Sequence, residues 1–425
     1  MKLASYWHDT SVPFAASRTD PVAGAFEVAV IGAGFTGLAA ARKLAKSGVK
    51  VALLEAEHVG YGASGRNGGH LNSGHFASFG AAKARFGDDR ARRLWRAYDD
   101  SIDRIEAIVA EEKIDCSFRR AGKLKLAAKA SHVAALRATC EELRREVDPT
   151  VEWLTREDLR KEVGSDAFHG AILSPRSGAI HMGRYANGLA AAAHRHGATI
   201  WERNPVTGRE PVGDGWRLST PTGSLTARRV VLATDAYTTD TFGYFRKRMF
   251  PVASFIVVTR PLSAEEVAAT VPGNRNYTNS LNIANYFRLT PDNRLLFGGR
   301  ARFSAVSNQS SDARSGELLR EQMLGFFPQL AGVAIDYCWG GLVGCTQDRY
   351  PRAGSADGVI YGMGYSGHGA QLSTLIGEVL ADIAMGRTDT NPLDGLPWNA
   401  VPMHTGKPWF LPLVGAYYRL KDRLA

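Results

Sequence analysis

Cysteine is scarce in this chain, with four residues among 425. Cys116, Cys140, Cys338 and Cys345 show neither the CxxC spacing of zinc sites nor a paired histidine. Metal centres and disulfide-stapled secreted folds depend on such clusters. We therefore expect no metal site and no disulfide framework, and we expect the four thiols to be buried or idle.

Long hydrophobic runs are also missing. No stretch of 18 or more apolar residues occurs, although a membrane-spanning helix needs about that length. The beginning of the chain, MKLASYWHDTSVPFAASRTD, has no apolar run long enough for a signal peptide. No internal repeat or low-complexity tract is found either. These absences predict a cytoplasmic protein.

Clustered basic runs with interleaved aromatic residues, which are typical of nucleic-acid binding, do not occur. Lys and Arg number 52 against 42 Asp and Glu, which gives a formal charge of +10. An excess of this size permits anionic partners without selecting one. We interpret it as a solvated basic surface and expect no nucleic-acid partner.

What the chain does contain begins with FEVAVIGAGFTGLAAARKLAKSGVKVALLEA, residues 26–56. An apolar run is followed directly by Gly32, Gly34 and Gly37 at the GxGxxG spacing, and then by a helical pattern. Such glycines allow a tight turn, close approach of a pyrophosphate and close helix packing, and the helix N-terminus faces the phosphates. A second strand ends at Glu55, where a ribose would be bound. The unit predicts a dinucleotide site, and the acid favours FAD or NAD over NADP.

Two further glycine-rich stretches favour FAD over NAD. Residues 58–74, HVGYGASGRNGGHLNSG, form a polar loop where an NAD-binding fold would continue into another helix and strand. Residues 358–371, GVIYGMGYSGHGAQ, place glycines directly before an apolar helix. A helix N-terminus at that position stabilises negative charge on a reduced flavin. Between them, RVVLAT at 229–234 predicts a strand whose end a dinucleotide would pass.

Four separated motifs extend this pattern over nearly the whole chain. They are GYGASGRNGGHLNSG (60–74), NYFRLTPDNRLLFGGR (285–300), GYSGHG (364–369) and the tail PLVGAYYRLKDRL (412–424). Together they resemble the FAD-dependent amine oxidoreductases of the D-amino-acid oxidase group. The resemblance implies an α/β fold, in which a Rossmann-like FAD-binding domain is interleaved with an α+β substrate domain built on a mixed sheet.

Periodicity and resemblance together predict how the two domains alternate along the chain. The predicted segments are 1–82, 150–242 and 336–390 for the FAD-binding domain, 83–149 and 243–335 for the substrate domain, and 391–425 for a C-terminal strap and tail. Helices are predicted at 86–113, 133–147, 185–196 and 317–326. The tail is interpreted as a helix docked on its own domain, with a membrane contact as the alternative.

The glycine motifs and the resemblance assign the cofactor site. The FAD is expected to be non-covalent, because Cys345 lies four positions from the residue that carries a covalent flavin link in related sarcosine oxidases. The predicted cofactor-binding residues are Gly32, Ala33, Gly34, Phe35, Thr36, Gly37, Glu55, Ala56, Ala63, Ser64, Arg66, Asn67, Gly68, Gly69, His70, Val206, Ala233, Thr234, Trp339, Gly340, Gly364, Tyr365, Ser366, Gly367, His368 and Gly369.

The resemblance implies oxidative deamination of an amine by hydride transfer to the flavin N5, giving an imine or aldehyde, and H2O2 where oxygen is the acceptor. This chemistry needs substrate position and desolvation more than a single essential base. The candidate catalytic residues are His368, Tyr286 and His70. The candidate substrate residues are Asn72, Tyr286, Arg288, Arg300 and Gln371.

Two departures from the sarcosine oxidases of this group narrow the substrate. Where they have a lysine and an arginine that hold the substrate carboxylate, this chain has Gln371 and Asn72. A carboxylate beside the reacting carbon would be buried and unpaired, at a cost on the order of several kcal/mol. We therefore expect a primary or secondary amine without it, such as a γ-glutamylputrescine-like compound. Leu296 replaces the lysine that assists reaction with oxygen, so the electron acceptor is either oxygen or a carrier.

Three other functions fit a flavin fold of this kind. One is an oxidase or dehydrogenase of N-methyl or D-amino acids. Another is an RNA-modifying flavoenzyme, which the net charge would suit but the scattered basic residues do not favour. The third is a non-catalytic flavoprotein subunit that docks through its tail.

Overall fold

Two large β-sheets dominate the computed structural model, which describes residues 1–299, 309–406 and 408–424. In chain order the strands are β1 (Ala25–Ile31), β2 (Val51–Leu54), β3 (His70–Leu71), β4 (Lys123–Leu126), β5 (Glu152–Leu154), β6 (Ala171–Ser174), β7 (Gly178–Ala179), β8 (Thr199–Trp201), β9 (Gly208–Val212), β10 (Gly215–Thr220), β11 (Gly223–Leu232), β12 (Phe250–Pro261), β13 (Asn276–Asn279), β14 (Tyr286–Leu289), β15 (Arg294–Gly299), β16 (Ile335–Cys345), β17 (Arg352–Ala356) and β18 (Val359–Met363). The helices are α1 (Tyr6–Asp9), α2 (Phe35–Lys46), α3 (Phe79–Phe86), α4 (Asp88–Glu111), α5 (Val133–Glu146), α6 (Arg156–Leu159), α7 (Met182–Arg195), α8 (Gly243–Arg246), α9 (Ala264–Thr270), α10 (Gln309–Phe326), α11 (Gly369–Ala384) and α12 (Leu411–Leu424).

The first sheet carries the glycine motif. Its order is β17-β18-β11-β1-β2-β8, with β10 and β9 added as an antiparallel extension of β11. β1 lies at the centre and pairs in parallel with β11 and β2. Helices α2 and α11 pack on one face and against each other, so closely that a Cβ on Gly377 would lie 2.2 Å from the Thr36 carbonyl oxygen. Strand β2 is buried on both faces, since Val51 and Leu53 belong to one apolar core and Ala52 and Leu54 to another. It is apolar throughout, as buried parallel strands usually are.

The second sheet has the order β16-β12-β15-β14-β13-β4-β6-β5. Successive side chains of each strand lie on opposite faces of this sheet. One face packs into an apolar core with α10, and Leu124, Tyr277, Phe287 and Phe297 belong to that core. The other face contacts the loop that follows β2, where Tyr286 and Arg288 of β14 approach Gly68 and Gly69.

The predicted helices are confirmed, although the helix predicted at 317–326 already begins at Gln309. The helix predicted at 86–113 corresponds to α4, which α3 directly precedes, and the other three predicted helices correspond to α5, α7 and α10. Strand pairing differs from the predicted domain segments at two places. Strands β5 and β6, and also β16, were assigned to the FAD-binding domain but pair within the second sheet. The prediction missed these positions because strand partners are distant in sequence.

The tail forms α12, which docks on the chain through polar contacts. The Asp422 carboxylate accepts hydrogen bonds from the main-chain N–H groups of Asn282 and Ile283 at 2.8 and 2.9 Å. Arg349 donates to the Tyr418 hydroxyl at 2.7 Å. These contacts agree with the prediction of a docked helix. Among the described residues, no helix combines the length and the apolar character that crossing a membrane requires.

Candidate functional site

A cavity with a volume of about 320 Å³ lies at the carboxyl ends of β1, β2 and β11. This is the edge at which open α/β sheets bind ligands. Many of the predicted cofactor residues line it: Gly32, Gly34, Phe35, Thr36, Glu55, Ala56, Ala63, Ser64, Asn67, Val206, Ala233, Thr234, Tyr365, Gly367 and Gly369. It is also lined by residues that the sequence did not single out: Ile31, Leu54, Glu57, Tyr61, Gly62, Pro205, Asp235, Tyr237, Thr239, Phe242, Val343, Ala370 and Ser373.

The glycine turn brings the start of α2 close to β1. A Cβ built on Gly37 would lie 1.9 Å from the Gly32 carbonyl oxygen, which leaves no room for any side chain. Gly32 itself has φ +100°, in the region that favours glycine. The first helical N–H group, that of Phe35, donates to the Ser64 hydroxyl at 3.0 Å. The turn thus presents a helix N-terminus to the cavity, where anions are stabilised.

Glu55 braces this turn from the end of β2. One carboxylate oxygen accepts the Ala33 N–H at 2.6 Å and the other accepts the Glu57 N–H at 2.9 Å. Burial raises the pKa of Glu55, and these two N–H groups oppose that rise. A carboxylate can accept about four hydrogen bonds. Glu55 therefore retains capacity for hydroxyl donors such as those of a ribose.

A second helix N-terminus meets the cavity at α11, held in place by Asp235. The Asp235 carboxylate accepts the Gly364 N–H at 2.7 Å and the Gly344 N–H at 3.3 Å. It therefore ties the end of β11 to β16 and to the turn before α11. Burial raises its pKa. Sequence reasoning missed Asp235, and its signal was an acid directly after the small-residue end of a buried strand.

The starts of α2 and α11 are linked to each other. The Tyr365 hydroxyl and the Thr36 hydroxyl lie 2.7 Å apart in a hydrogen bond. Ser366 has φ +53° and its hydroxyl donates to the Gly364 carbonyl at 3.1 Å, which stabilises the turn. Two helix N-termini thus converge on one cavity.

The loop after β2 is fastened to the second sheet. Arg66 donates to the Tyr61 and Gly340 carbonyls at 2.8 and 2.9 Å, and the Trp339 indole donates to the Arg66 carbonyl at 2.9 Å. We predicted Arg66, Trp339 and Gly340 as cofactor residues, but they do not line the cavity. In this structure they hold the loop between the two sheets.

Tyr286 and His70 meet where this loop touches β14. Their ring centroids lie 5.5 Å apart at an interplanar angle of 79°, and a Cβ on Gly68 would lie 2.7 Å from the Tyr286 ring. Burial, reinforced by Arg288 and Lys123, lowers the pKa of His70 well below its usual value. His70 is therefore neutral at physiological pH. Its Nε2 is buried without a hydrogen-bond partner among the described residues.

Asn72 and Gln371 are brought together at the start of α11. The Gln371 amide donates to the Asn72 main-chain carbonyl at 2.9 Å, and Gln371 is 1% exposed. The Asn72 side-chain oxygen is buried and accepts no hydrogen bond from a described residue. The pair is close, polar and uncharged, as the sequence comparison predicted.

Two arginines, Arg288 and Arg300, were also predicted to contact the substrate. Arg288 donates to the carbonyls of Gly69 and Ile180 at 2.8 and 3.0 Å and lies over the Trp7 ring. Burial lowers its pKa to about 9. Both terminal nitrogens are thus occupied in bracing the loop, which does not favour a substrate-binding role. Arg300 lies outside the described residues.

His368 caps the turn before α11 without lining the cavity. Its main-chain N–H donates to the Tyr365 carbonyl at 2.9 Å. Its ring lies against Phe76 and Tyr98, with centroid distances of 5.6 and 6.4 Å. The histidine therefore borders an aromatic region beside the cavity.

The residues fit an FAD molecule. Gly34 lines the cavity without a Cβ to fill it, two helix N-termini face the cavity, and Glu55 lines it at the end of β2 with acceptor capacity to spare. Hydroxyl and amide groups from Thr36, Ser64 and Asn67 supplement the main-chain donors. The cavity thus offers main-chain N–H donors and a carboxylate, which suit the pyrophosphate and the ribose of a dinucleotide.

Comparison with known proteins agrees with this geometry. The family described as FAD dependent oxidoreductase (DAO) matches residues 27–383. The chain is 34% identical over 402 residues to "Gamma-glutamylputrescine oxidoreductase" of Escherichia coli (strain K12), covering 94% of this chain and 93% of that protein. It is 32% identical to "Probable oxidoreductase OrdL" of Rhizobium meliloti (strain 1021), covering 93% of this chain and 92% of that protein.

Two solved structures share the fold. Glycine oxidase from Geobacillus kaustophilus has a TM-score of 0.74 at 23% identity, covering 89% of this chain and 99% of that one. L-proline dehydrogenase from P. horikoshii has a TM-score of 0.72 at 20% identity, covering 92% of this chain and 98% of that one. These likenesses confirm the predicted fold class.

Proposed function

Because the chain belongs to the family of FAD-dependent oxidoreductases, we propose that it oxidises an amine whose reacting carbon bears no carboxylate. Bound FAD supplies a two-electron oxidant that accepts a hydride equivalent from the carbon beside the amine nitrogen. The relative whose name specifies γ-glutamylputrescine supports an amine with a long side chain. The electron acceptor, oxygen or a carrier, belongs to the same proposal.

The observation that carries the proposal is the uncharged pair formed by Gln371 and Asn72. The Gln371 amide is engaged with the Asn72 main-chain carbonyl, and neither side chain bears a charge. A substrate carboxylate placed beside this pair would be desolvated without a cation. An amine that lacks the carboxylate avoids this cost.

The protein's own groups position and desolvate the amine. Neutral His70 and the Tyr286 ring form a wall on the side of the second sheet. A neutral imidazole does not repel an amine, and it offers a nitrogen to the amine N–H or its proton. The positive end of α11 favours negative charge on the reduced ring system when the cofactor is bound. Together these groups supply orientation, water exclusion and electrostatic stabilisation.

Anaerobic mixing of the purified flavoprotein with an amine panel tests this. The panel contains γ-glutamylputrescine, putrescine, sarcosine and D-alanine, and the loss of visible flavin absorbance is followed over time. We expect the amines without an α-carboxylate to reduce the flavin faster by about a hundredfold, which corresponds to about 2.7 kcal/mol. Faster reduction by sarcosine or D-alanine would contradict the proposal.

A further inference from the structure

Two buried tryptophans donate hydrogen bonds to successive carbonyl groups of the loop that follows β2. The Trp7 indole donates to the Asn67 carbonyl at 2.7 Å, and the Trp339 indole donates to the Arg66 carbonyl at 2.9 Å. Trp7 is 0% exposed and Trp339 is 1% exposed. They belong to α1 and β16, so two distant parts of the chain fix one short stretch of this loop.

The other ends of these two peptide groups have no partner. A planar trans peptide group directs its N–H opposite to its C=O. Because the indoles hold the two carbonyls, the N–H groups of Asn67 and Gly68 are directed away from the indoles. Neither N–H donates a hydrogen bond to a described residue, although Gly68 is buried. Buried main-chain N–H groups nearly always have an acceptor, so these donors indicate a ligand.

The position of Asn67 indicates which ligand this is. Asn67 lines the cavity at the carboxyl ends of β1, β2 and β11, whereas neither tryptophan does. Its side chain is engaged within the loop, since the amide donates to the Ala63 and Ser64 carbonyls at 3.0 Å and the amide oxygen accepts the Gly69 N–H at 2.8 Å. The main-chain donors therefore remain for the molecule that fills the cavity. Successive N–H groups of this kind bind negatively charged or carbonyl oxygens.

Ser5 holds the same loop without leaving such a donor. The Ser5 hydroxyl donates to the Gly65 carbonyl at 2.6 Å. The N–H of that peptide group belongs to Arg66, and it already donates to the Ala63 carbonyl at 3.3 Å. The bond from Ser5 thus stabilises the loop, while the bonds from the two indoles also direct N–H groups that the protein leaves unused.

We propose that Trp7 and Trp339 position the Asn67 and Gly68 N–H groups to donate to an acceptor atom of the bound FAD. The tryptophans are positioning residues: each fixes a carbonyl, and the rigid peptide plane then fixes the N–H behind it. Donors that are held in place before the cofactor arrives cost little ordering entropy on binding. This inference concerns how FAD is retained and holds whichever amine is oxidised.

Replacements that remove one indole N–H test the proposal. Trp7→Phe and Trp339→Phe keep an aromatic ring but lose the donor. We expect each purified holoenzyme variant, after dilution, to release fluorescent FAD about tenfold faster than wild type, because a bond to the loop and a directed donor are lost together. Hydrogen exchange followed by mass spectrometry should show faster exchange in holoenzyme peptides that contain Asn67 and Gly68.

Two control variants lose a comparable hydrogen bond without misdirecting a donor. Trp398→Phe removes an indole bond to the Arg248 carbonyl at 3.0 Å, and Trp398 does not line the cavity. Ser5→Ala removes the bond to the Gly65 carbonyl in the same loop. Both should release FAD within about threefold of the wild-type rate. If Trp7→Phe does not fold, site-specific 3-benzothienylalanine at position 7 replaces the indole N–H with sulfur and keeps the ring shape.

The outcomes distinguish directed donors from general support of the loop. FAD release within threefold of wild type in both Trp7→Phe and Trp339→Phe would overturn the proposal. Equal acceleration by Ser5→Ala would also overturn it, because the stability of the loop would then retain FAD without these two N–H groups. Fast release confined to the two indole variants, together with faster exchange at Asn67 and Gly68, is the result that the proposal requires.

Discussion

Replacing Gly37 with alanine tests how closely α2 approaches β1. The added Cβ would lie 1.9 Å from the Gly32 carbonyl oxygen and 3.2 Å from a Val30 methyl group. An ordinary van der Waals contact begins near 3.4 Å. The helix start must therefore withdraw by about 1.5 Å, because the obstacle is main chain and has no rotamer to change.

The displacement has a stability cost and a binding cost. Overpacking of a dense interior lowers the free energy of unfolding by about 1–3 kcal/mol. Because the obstacle here is main chain, we expect a loss near the upper end of that range. A shift of 1.5 Å also moves the helix N-terminus out of hydrogen-bonding range of a pyrophosphate. We expect Gly37→Ala to bind FAD at least tenfold more weakly, a loss of about 1.4 kcal/mol or more. The ratio of flavin to protein absorbance after purification, and thermal unfolding with excess FAD, measure the two effects.

Gly325→Ala is the matched control for the same chemical change. Gly325 lies in α10, and a Cβ there would have no neighbouring atom within 4 Å. Alanine in an open helical position stabilises by about 0.5–1 kcal/mol. The two substitutions should therefore shift Tm in opposite directions. Wild-type flavin content and an unchanged Tm for Gly37→Ala would refute the close approach of the helix.

Four other results are expected. Glu55→Lys should lose FAD while circular dichroism still reports a fold, whereas Glu55→Gln, which keeps one acceptor oxygen, should lose less; equal flavin contents would contradict the ribose position of Glu55. Gln371→Lys should shift the substrate preference toward amines with an α-carboxylate, because the new cation lies beside the Asn72 carbonyl and repels a cationic amine. If putrescine and sarcosine reduce the flavin at the same relative rates in the variant as in wild type, this expectation is wrong. The pKa of Lys123 is lowered from 10.5 to about 8 in the folded state, so between these two values the unfolded chain binds more protons and the free energy of unfolding should rise with pH. Urea titrations at a series of pH values should show a smaller rise for Lys123→Met than for wild type. The same pH dependence of the unfolding free energy in both proteins would contradict this. Acid denaturation should leave a colourless pellet, since Cys345 packs with Val252 and Leu411 in a small apolar cluster; a yellow pellet would mean a covalent flavin.

Local patterns predicted the elements of the first sheet well. The run before Gly32, the spacing of the three glycines and the acid at Glu55 lie within one strand–turn–helix–strand unit. Such a unit is specified by residues close in sequence, so its signal survives without any knowledge of tertiary contacts. The same holds for α4 and α5, whose apolar residues recur at helical spacing.

Residues whose role depends on distant partners were harder to predict. Asp235 acts by accepting main-chain N–H groups from β16 and from the turn before α11, which are more than 100 residues away. Arg288 looked like a free cation in the motif NYFRL, but its position in the second sheet puts carbonyl groups at both terminal nitrogens. Register and long-range pairing are tertiary properties that a one-dimensional pattern does not contain.

The chain passes repeatedly between the two sheets, and this interleaving constrains how such an enzyme can change its substrate. Strands β4 to β6, β12 to β15 and β16 belong to the second sheet, while β1, β2, β8 to β11, β17 and β18 belong to the first. No single contiguous stretch of sequence therefore encodes the second sheet, and recombination cannot exchange it as a cassette. New specificities must therefore arise by point substitutions at positions scattered along the chain, on a scaffold that remains in place.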